Sequence, residues 1–309
     1  MDARRIFLMH DITSLIGHTP LIRLTRLTAP AAVFVKAEGM NPGGSAKDRV
    51  ALSMVQDAEA QGRLAPGGTI IEPTSGNTGV GLAMVAAARG YRCILVMPDS
   101  MSIERRRLLS AYGAQVELVE GSLGMAGCVA RAEELLRTTP NSIIAGQFTN
   151  PANPAAHYAA TGPEIWAALN GQVDAFVAGI GTGGTITGVG RYLREQHPAV
   201  RIVGVEPADS PLLTQGCAGP HPLQGIGANF VPEILDLSIV DEIIPVTGEN
   251  AFDMTRALAR QEGILAGITS GAAVWAALQL AQRPEFAGKN IVALLPDSGE
   301  RYLSTGIFD

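Results

Sequence analysis

The feature that most limits this chain is an alternation. Short, nearly continuous apolar runs take turns with longer segments of helical period. Residues 33–38, 69–73, 91–98, 114–120, 142–147, 175–179, 201–206 and 290–296 read as buried strands. Between them, 50–61, 80–89 and 103–112 read as helices, followed by Gly62, Gly90 and Gly113, and a glycine just past the last turn is a common helix stop. Runs that are apolar throughout, not at every second position, suit strands covered on both faces. The pattern predicts an α/β fold with parallel-rich sheets and helical crossovers. A polar, proline-rich break at Asn150-Pro-Ala-Asn-Pro154 marks the expected boundary between two such domains, 1–149 and 150–309.

The excluded classes are as informative. The 309 residues carry 23 basic and 29 acidic side chains, a net charge of −6, which argues against nucleic acid or an anionic membrane as partner. The basic cluster Arg105, Arg106 and Arg107 reads as a solvated helix face. No apolar run reaches the ~18 residues of a membrane span. After Arg4 and Arg5 the apolar stretch is too short for a signal peptide. Cys93, Cys128 and Cys217 have neither metal nor disulfide spacing, so a reducing, cytoplasmic setting is expected, with Cys93 a buried, inert thiol. His157 and His221 belong to no metal spacing and read as ordinary residues.

Three places combine a strand, a loop of small residues and a helix start: Asn41-Pro-Gly-Gly-Ser-Ala-Lys-Asp48, Glu72-Pro-Thr-Ser-Gly-Asn-Thr-Gly79 and Gly179-Ile-Gly-Thr-Gly-Gly-Thr185. A helix N-terminus exposes unpaired N–H groups and the positive end of the helix dipole, so each can hold an anion. The third is the best phosphate cradle: its glycines admit a close approach, and Thr182 and Thr185 add hydroxyls. It lacks the lysine of a Walker loop, which disfavours a nucleotide triphosphatase. Its letters fit G-x-G-x-x-G and Glu206 follows at a suitable distance, which keeps a dinucleotide reading open. The chain has only three lysines, Lys36, Lys47 and Lys289. Ser45 and Asp48 look like a capping box that puts Lys47 in a first helical turn, where the dipole disfavours a cation and lowers the amine's proton affinity.

These blocks, in this order, resemble cysteine synthase (O-acetylserine sulfhydrylase), a fold-type-II pyridoxal phosphate family. The likeness runs from Ile16-Gly-His-Thr-Pro-Leu21 to Ser298-Gly-Glu-Arg-Tyr-Leu-Ser-Thr305, taking in Met101-Ser-Ile-Glu-Arg-Arg106 and Gln224-Gly-Ile-Gly227. It implies a tryptophan synthase β-like pair of doubly wound domains, with residues 17–40 crossing into the other domain. It implies pyridoxal 5′-phosphate as a Schiff base on Lys47. Gly181, Thr182, Gly183, Gly184 and Thr185 would bind the phosphate, Asn77 the ring hydroxyl, and Thr269 the pyridine nitrogen, with Ser270 the fallback. Thr74, Ser75, Gly76, Asn77 and Thr78, with Gln147 and Gly225, would receive the substrate.

The activity this implies is β-replacement: O-acetyl-L-serine loses acetate and takes up sulfide, giving L-cysteine, with Lys47 as the base that takes and returns the Cα proton. The family suggests a cytoplasmic homodimer, and its A-type members bind the C-terminal tail of serine acetyltransferase in the active-site cleft. An O-phosphoserine sulfhydrylase, a cystathionine β-synthase-like enzyme and a non-catalytic binding partner stay open as alternatives.

Overall fold

A computed structural model describes residues 9–309; the stretch that includes Arg4 and Arg5 lies outside them. Among the described residues, strands β1 (Leu21–Arg23), β2 (Ala32–Ala37), β3 (Thr69–Pro73), β4 (Arg92–Pro98), β5 (Gln115–Val119), β6 (Ser142–Ile144), β7 (Ala175–Gly179), β8 (Arg201–Pro207), β9 (Glu242–Val246) and β10 (Asn290–Leu295) form two sheets. The larger has the order β1-β2-β10-β7-β8-β9, the smaller β5-β4-β3-β6. Every pairing is parallel except β1 with β2. The α/β architecture with parallel-rich sheets is therefore the one the apolar alternation predicts.

Both sheets are covered on both faces, and the strands show how. Side chains alternate faces at period two. In the larger sheet Val177, Val203, Val205 and Ala293 pack under the helix Ile268–Ala281, whereas Phe176, Ile202, Val292 and Leu294 pack under Ile186, Val189 and Leu193 of the helix Gly184–Gln196. In the smaller sheet Ile70, Leu95 and Met97 face the helices Lys47–Ala60 and Asn77–Arg89, and Ile71, Ile94 and Val96 face Cys128 and Ala132 of Gly124–Thr138. The helix stops also follow the sequence: Gly90 ends its helix at φ +75°, where a side chain would be strained.

The departures are local. The helices of 50–61 and 80–89 begin three residues early, at Lys47 and Asn77. β6 stops at Ile144, because the chain then turns so that the Gly146 and Gln147 N–H groups reach Glu72. The sequence reading missed β1 and β9; both are short edge strands, half-buried over most of their length, with charged residues and a proline that blur an apolar run. No described helix is long and apolar enough to cross a membrane.

A buried ionic group fastens the helix that starts at Lys47. Arg49 donates to Glu38 at 2.6 Å and to Glu164 at 2.7 Å, and Lys36, in β2, pairs with Glu164 at 2.5 Å. Glu38 and Arg49 are almost fully buried, and Thr19 adds a hydroxyl bond to Glu38 at 2.6 Å. Removing one partner leaves charge uncompensated in low dielectric, which typically costs about 3–5 kcal/mol. Arg49→Met should lower the unfolding free energy by about that amount, read from urea denaturation. A loss below about 1 kcal/mol, the scale of an exposed pair, would remove this group as the fastening.

Candidate active site

A cavity of about 280 Å³ opens beyond the carboxyl ends of β3, β7 and β10. That end of a parallel sheet is where α/β folds place ligands. Residues from the first turns of four helices border it or back its wall: Lys47, Asn77 with Thr78, Gly184 with Thr185, and Thr269. Sequence reading singled out three of these helix starts; the fourth begins at Ile268. Four positive dipole ends aimed at one space favour a ligand with more than one negative group.

Lys47 lines this cavity. Lys36 is spent on Glu164, and Lys289 pairs with Asp174 at 3.1 Å. Lys47 is thus the one lysine without an ion pair among the described residues. Burial lowers its proton affinity, and the nearby Asp297 carboxylate opposes that shift. The expected capping box is not what holds it there. Ser45 Oγ accepts from the Lys47 N–H at 3.2 Å, but the Asp48 carboxylate turns to the Gly43 N–H at 2.6 Å, because Gly43 folds back over the helix start.

The glycine-rich loop lies on another wall. Gly181, Thr182, Gly183 and Thr185 line the cavity, while Gly184 sits behind it. The glycines are needed for space. A Cβ at Gly181 would lie 2.3 Å from the Gly225 carbonyl oxygen, and one at Gly184 would lie 1.9 Å from Asn153 Oδ1. Gly183 has φ +82° and opens the helix. Behind the loop, His157 Nε2 is 3.2 Å from Thr185 Oγ1.

Thr74, Gly76, Asn77, Thr78 and Gln147 line the opposite side. Thr78 donates its hydroxyl proton to Gln147 Oε1 at 2.6 Å, so the Gln147 amide can offer a ligand only its nitrogen as a donor. Glu72 clamps the backbone beneath it, accepting from the Gly146 and Gln147 N–H groups at 2.8 and 3.1 Å. Asn77 Nδ2 donates to Asp297 Oδ2 at 2.7 Å, and Arg301 donates to Asn77 Oδ1. One Nδ2 proton of Asn77 remains free for a ligand. Gly225 and Thr269 complete the wall, and Thr269 lines the cavity where its neighbour Ser270, buried with an unpartnered hydroxyl, does not.

Ser75 faces a second, outer cavity of about 690 Å³ that shares Gly76 and Asn77 with the first. There Arg105 also donates to Gln224 Oε1 at 2.7 Å. Glu206 accepts from the Leu213 and Thr214 N–H groups at 2.8 and 3.2 Å, so the acid that kept a dinucleotide reading open caps a short helix instead. Burial pushes the Cys93 thiol up to about 12, in keeping with an inert core thiol. Among the described residues no cluster of histidine, cysteine and carboxylate could hold a metal ion. Sequence reading missed Asp297, Glu72, Asn153 and His157. For Asp297 and Glu72 the available signal was an acid inside or beside an apolar run; Asn153, in the polar break, and His157 carried no such mark.

Burial pushes the Glu72 carboxyl from its ordinary 4.5 up to about 7, against the pull of the Gly146 and Gln147 N–H groups and the Gln147 side chain. Between those values the folded chain keeps a proton that the unfolded chain has lost. This carboxyl's contribution to stability therefore falls as pH rises from 4.5 to about 7 and is constant outside that window. Glu72→Gln removes the titration. The unfolding free energy of the wild type relative to the variant should drop by about 2–3 kcal/mol across the window, measured by urea unfolding at a series of pH values. Parallel profiles for the two proteins would refute it.

Comparison with known proteins agrees with this geometry. The family model described as pyridoxal-phosphate dependent enzyme matches residues 12–297. Cysteine synthase A of Escherichia coli K12 is 51% identical over 310 residues, covering 97% of this chain and 96% of that protein. Among solved structures, an O-ureido-L-serine synthase superposes with a TM-score of 0.95 at 49% identity, covering 98% of this chain and 96% of the other. A cysteine synthase from Entamoeba histolytica does so with a TM-score of 0.96 at 42% identity, covering 100% and 93%. A lone lysine facing two anion-binding walls is what such a family needs, and this chain belongs to the pyridoxal-phosphate dependent enzymes, in their cysteine synthase branch.

Proposed function

We propose that the chain makes L-cysteine and acetate from O-acetyl-L-serine and sulfide, using pyridoxal 5′-phosphate bound through Lys47. The observation that carries this reading is the Lys47 amine, without an ion pair among the described residues, in a cavity walled by a glycine-rich cradle and a second set of N–H donors. The cavity suits the cofactor. A Cβ at Gly181 would collide with the Gly225 carbonyl oxygen on the cavity wall, and Thr182 and Thr185 stand there as hydroxyl donors. We take the two sheets as the cores of two domains, with residues 17–40 crossing to the second.

Bound pyridoxal phosphate supplies an electron sink for negative charge at the amino-acid Cα. The rest falls to this chain's residues. In this reading Gly181 to Thr185 hold the phosphate at a helix N-terminus. Asn77 gives its remaining amide proton to the ring hydroxyl. Thr269 offers the ring nitrogen a neutral hydroxyl, which stabilises a charged ring less than a carboxylate would. That arrangement suits a substrate with a good leaving group. The turn Thr74, Ser75, Gly76, Asn77 and Thr78, together with the Gln147 amide and Gly225, receives and orients the substrate. Lys47 would take the Cα proton on its Nζ as general base and later return it. The lowered proton affinity of its amine favours that role. Acetate leaves, and sulfide enters, through the outer cavity bordered by Ser75 and Arg105.

A second nucleophile has support in the likeness to an O-ureido-L-serine synthase. Hydroxyurea, whose oxygen would give that product, is its natural probe. The reading extends to a cytoplasmic homodimer whose cleft receives the C-terminal tail of serine acetyltransferase; size-exclusion chromatography with and without that tail peptide tests both.

The purified protein should be yellow, and borohydride should fix the cofactor on Lys47. Its visible spectrum should change with O-acetylserine more readily than with O-phosphoserine or serine, and sulfide should restore it with release of cysteine. Lys47→Ala should lose at least about 10³-fold in turnover. Borohydride labelling elsewhere, or a spectrum indifferent to O-acetylserine, would sink the reading.

A further inference from the structure

Two buried side chains behind the glycine-rich loop have no part in the chemistry described so far. Asn153 lies in the short helix Ala152–Ala156, and His157 opens the turn that follows it. Both are 0% exposed. They press against the helix that starts at Gly184. A Cβ at Gly188 would fall 2.2 Å from the Pro154 carbonyl oxygen and 2.8 Å from His157 Cβ, so small residues permit this approach.

Counting protons and lone pairs gives these residues a task. Asn153 Nδ2 donates to the Gln147 carbonyl at 2.8 Å and to Thr182 Oγ1 at 3.0 Å. A backbone carbonyl only accepts, so the Asn153 amide can sit only one way round. Thr182 Oγ1 also accepts from the Gly184 N–H at 3.3 Å. A hydroxyl has two lone pairs and one proton. With both lone pairs engaged, Thr182 can present only its proton to the cavity.

His157 faces the other hydroxyl. Its Nδ1 lies 3.0 Å from Thr161 Oγ1 and its Nε2 3.2 Å from Thr185 Oγ1. Burial, helped by the nearby charges of Lys47 and Arg49, holds this ring well below the usual histidine range, so it is neutral and carries one proton. With that proton on Nδ1, Thr185 would spend its own proton on the ring and offer lone pairs to an anion. With it on Nε2, His157 donates to Thr185, Thr161 donates to Nδ1, and the Thr185 proton is free for the cavity.

We propose that Asn153 and His157 form a neutral back layer that turns the Thr182 and Thr185 hydroxyls into obligatory donors, with His157 held as the Nε2–H tautomer, so that the cradle selects a phosphate-bearing ligand. Both are positioning residues, and neither touches the ligand. The proposal rests on the function proposed above and names the residues that enforce the cofactor's phosphate specificity. Asn153 also holds the Gln147 carbonyl, so one amide couples the phosphate wall to the wall assigned to substrate.

The test compares pyridoxal phosphate with pyridoxal, which lacks only the phosphate, in spectral titrations of the resolved enzyme. Asn153→Leu and His157→Leu should each weaken pyridoxal phosphate binding by about tenfold or more and leave pyridoxal binding within about twofold. His157→Gln, which keeps an N–H donor at the Nε2 position, should recover most of the loss. In the holoenzyme labelled with ¹⁵N-histidine, one ring should remain Nε2–H from about pH 6 to 9, and its signal should vanish in His157→Gln. Equal losses for both ligands, no loss for pyridoxal phosphate, or an Nδ1–H ring would overturn the proposal. If either leucine variant does not fold, the wild-type tautomer and the His157→Gln comparison decide. A wild type that binds neither ligand at Lys47 would instead refute the function on which the proposal rests.

Discussion

Two carboxylates and two cations meet behind the helix that begins at Lys47. Glu38 follows β2, Lys36 lies within it, Glu164 comes from a helix on the other side, and Arg49 reaches from the first turn of the Lys47 helix. Charges buried this deeply are tolerable only when each finds its partner. The requirement therefore fixes a relative position: the larger sheet, the Lys47 helix and the segment after Asn150 must arrive together. The pairing holds the Glu164 carboxyl at about 2, so the group stays ionised throughout the range in which the fold is useful. Fully buried His157 shares these surroundings and is kept neutral by them.

With the Lys47 helix fixed, the field in the cavity follows. Four helix starts bring positive dipole ends to one space, which favours phosphate and carboxylate over a cation. Lys47 is placed in that unfavourable field and partly shielded from water. A lysine so placed gives up its proton more easily. Asp297 limits the effect, because a carboxylate nearby draws the proton back. Its own position is set by Asn77 and by the Tyr302 hydroxyl, each at 2.7 Å.

Much of this was legible in the sequence, for physical reasons. A doubly covered strand such as 175–179 is apolar at every position, so it stands out, and Gly62, Gly90 and Gly113 mark where their helices end. Edge strands β1 and β9 carry no such mark, since a half-exposed strand may hold Arg23, Glu242 or Pro245. Lys47 could be chosen because the chain has so few lysines and this one opens a helix. Its supports could not be read in the same way. Asp297 is 220 positions from Asn77, Glu72 is 74 from Gly146, and Asn153 and His157 are 29 and 28 from the loop threonines they meet, so only the fold reveals these contacts. The capping box failed for a related reason: Asp48 was matched to its neighbour Ser45, whereas in the fold Gly43 competes for it and wins.

The last turn of the chain belongs to the same system. Arg301, in the turn Gly299–Thr305, donates to both Asn77 Oδ1 and the Gly43 carbonyl, and an isolated bridge pairs Ser45 with Asp297. Three loops distant in sequence are thereby joined at one point: the loop before Lys47, the loop before Asn77 and the turn that ends the chain. Asn77 uses its oxygen on Arg301 and one proton on Asp297, so only its second proton can face a ligand. An asparagine alone could rotate to offer either oxygen or nitrogen; held on both sides, it can offer only a donor. The same logic governs Gln147, whose oxygen is taken by Thr78. On this wall of the cavity, two amides that could have accepted or donated are committed to donation by their neighbours, and that commitment favours a ligand rich in acceptors.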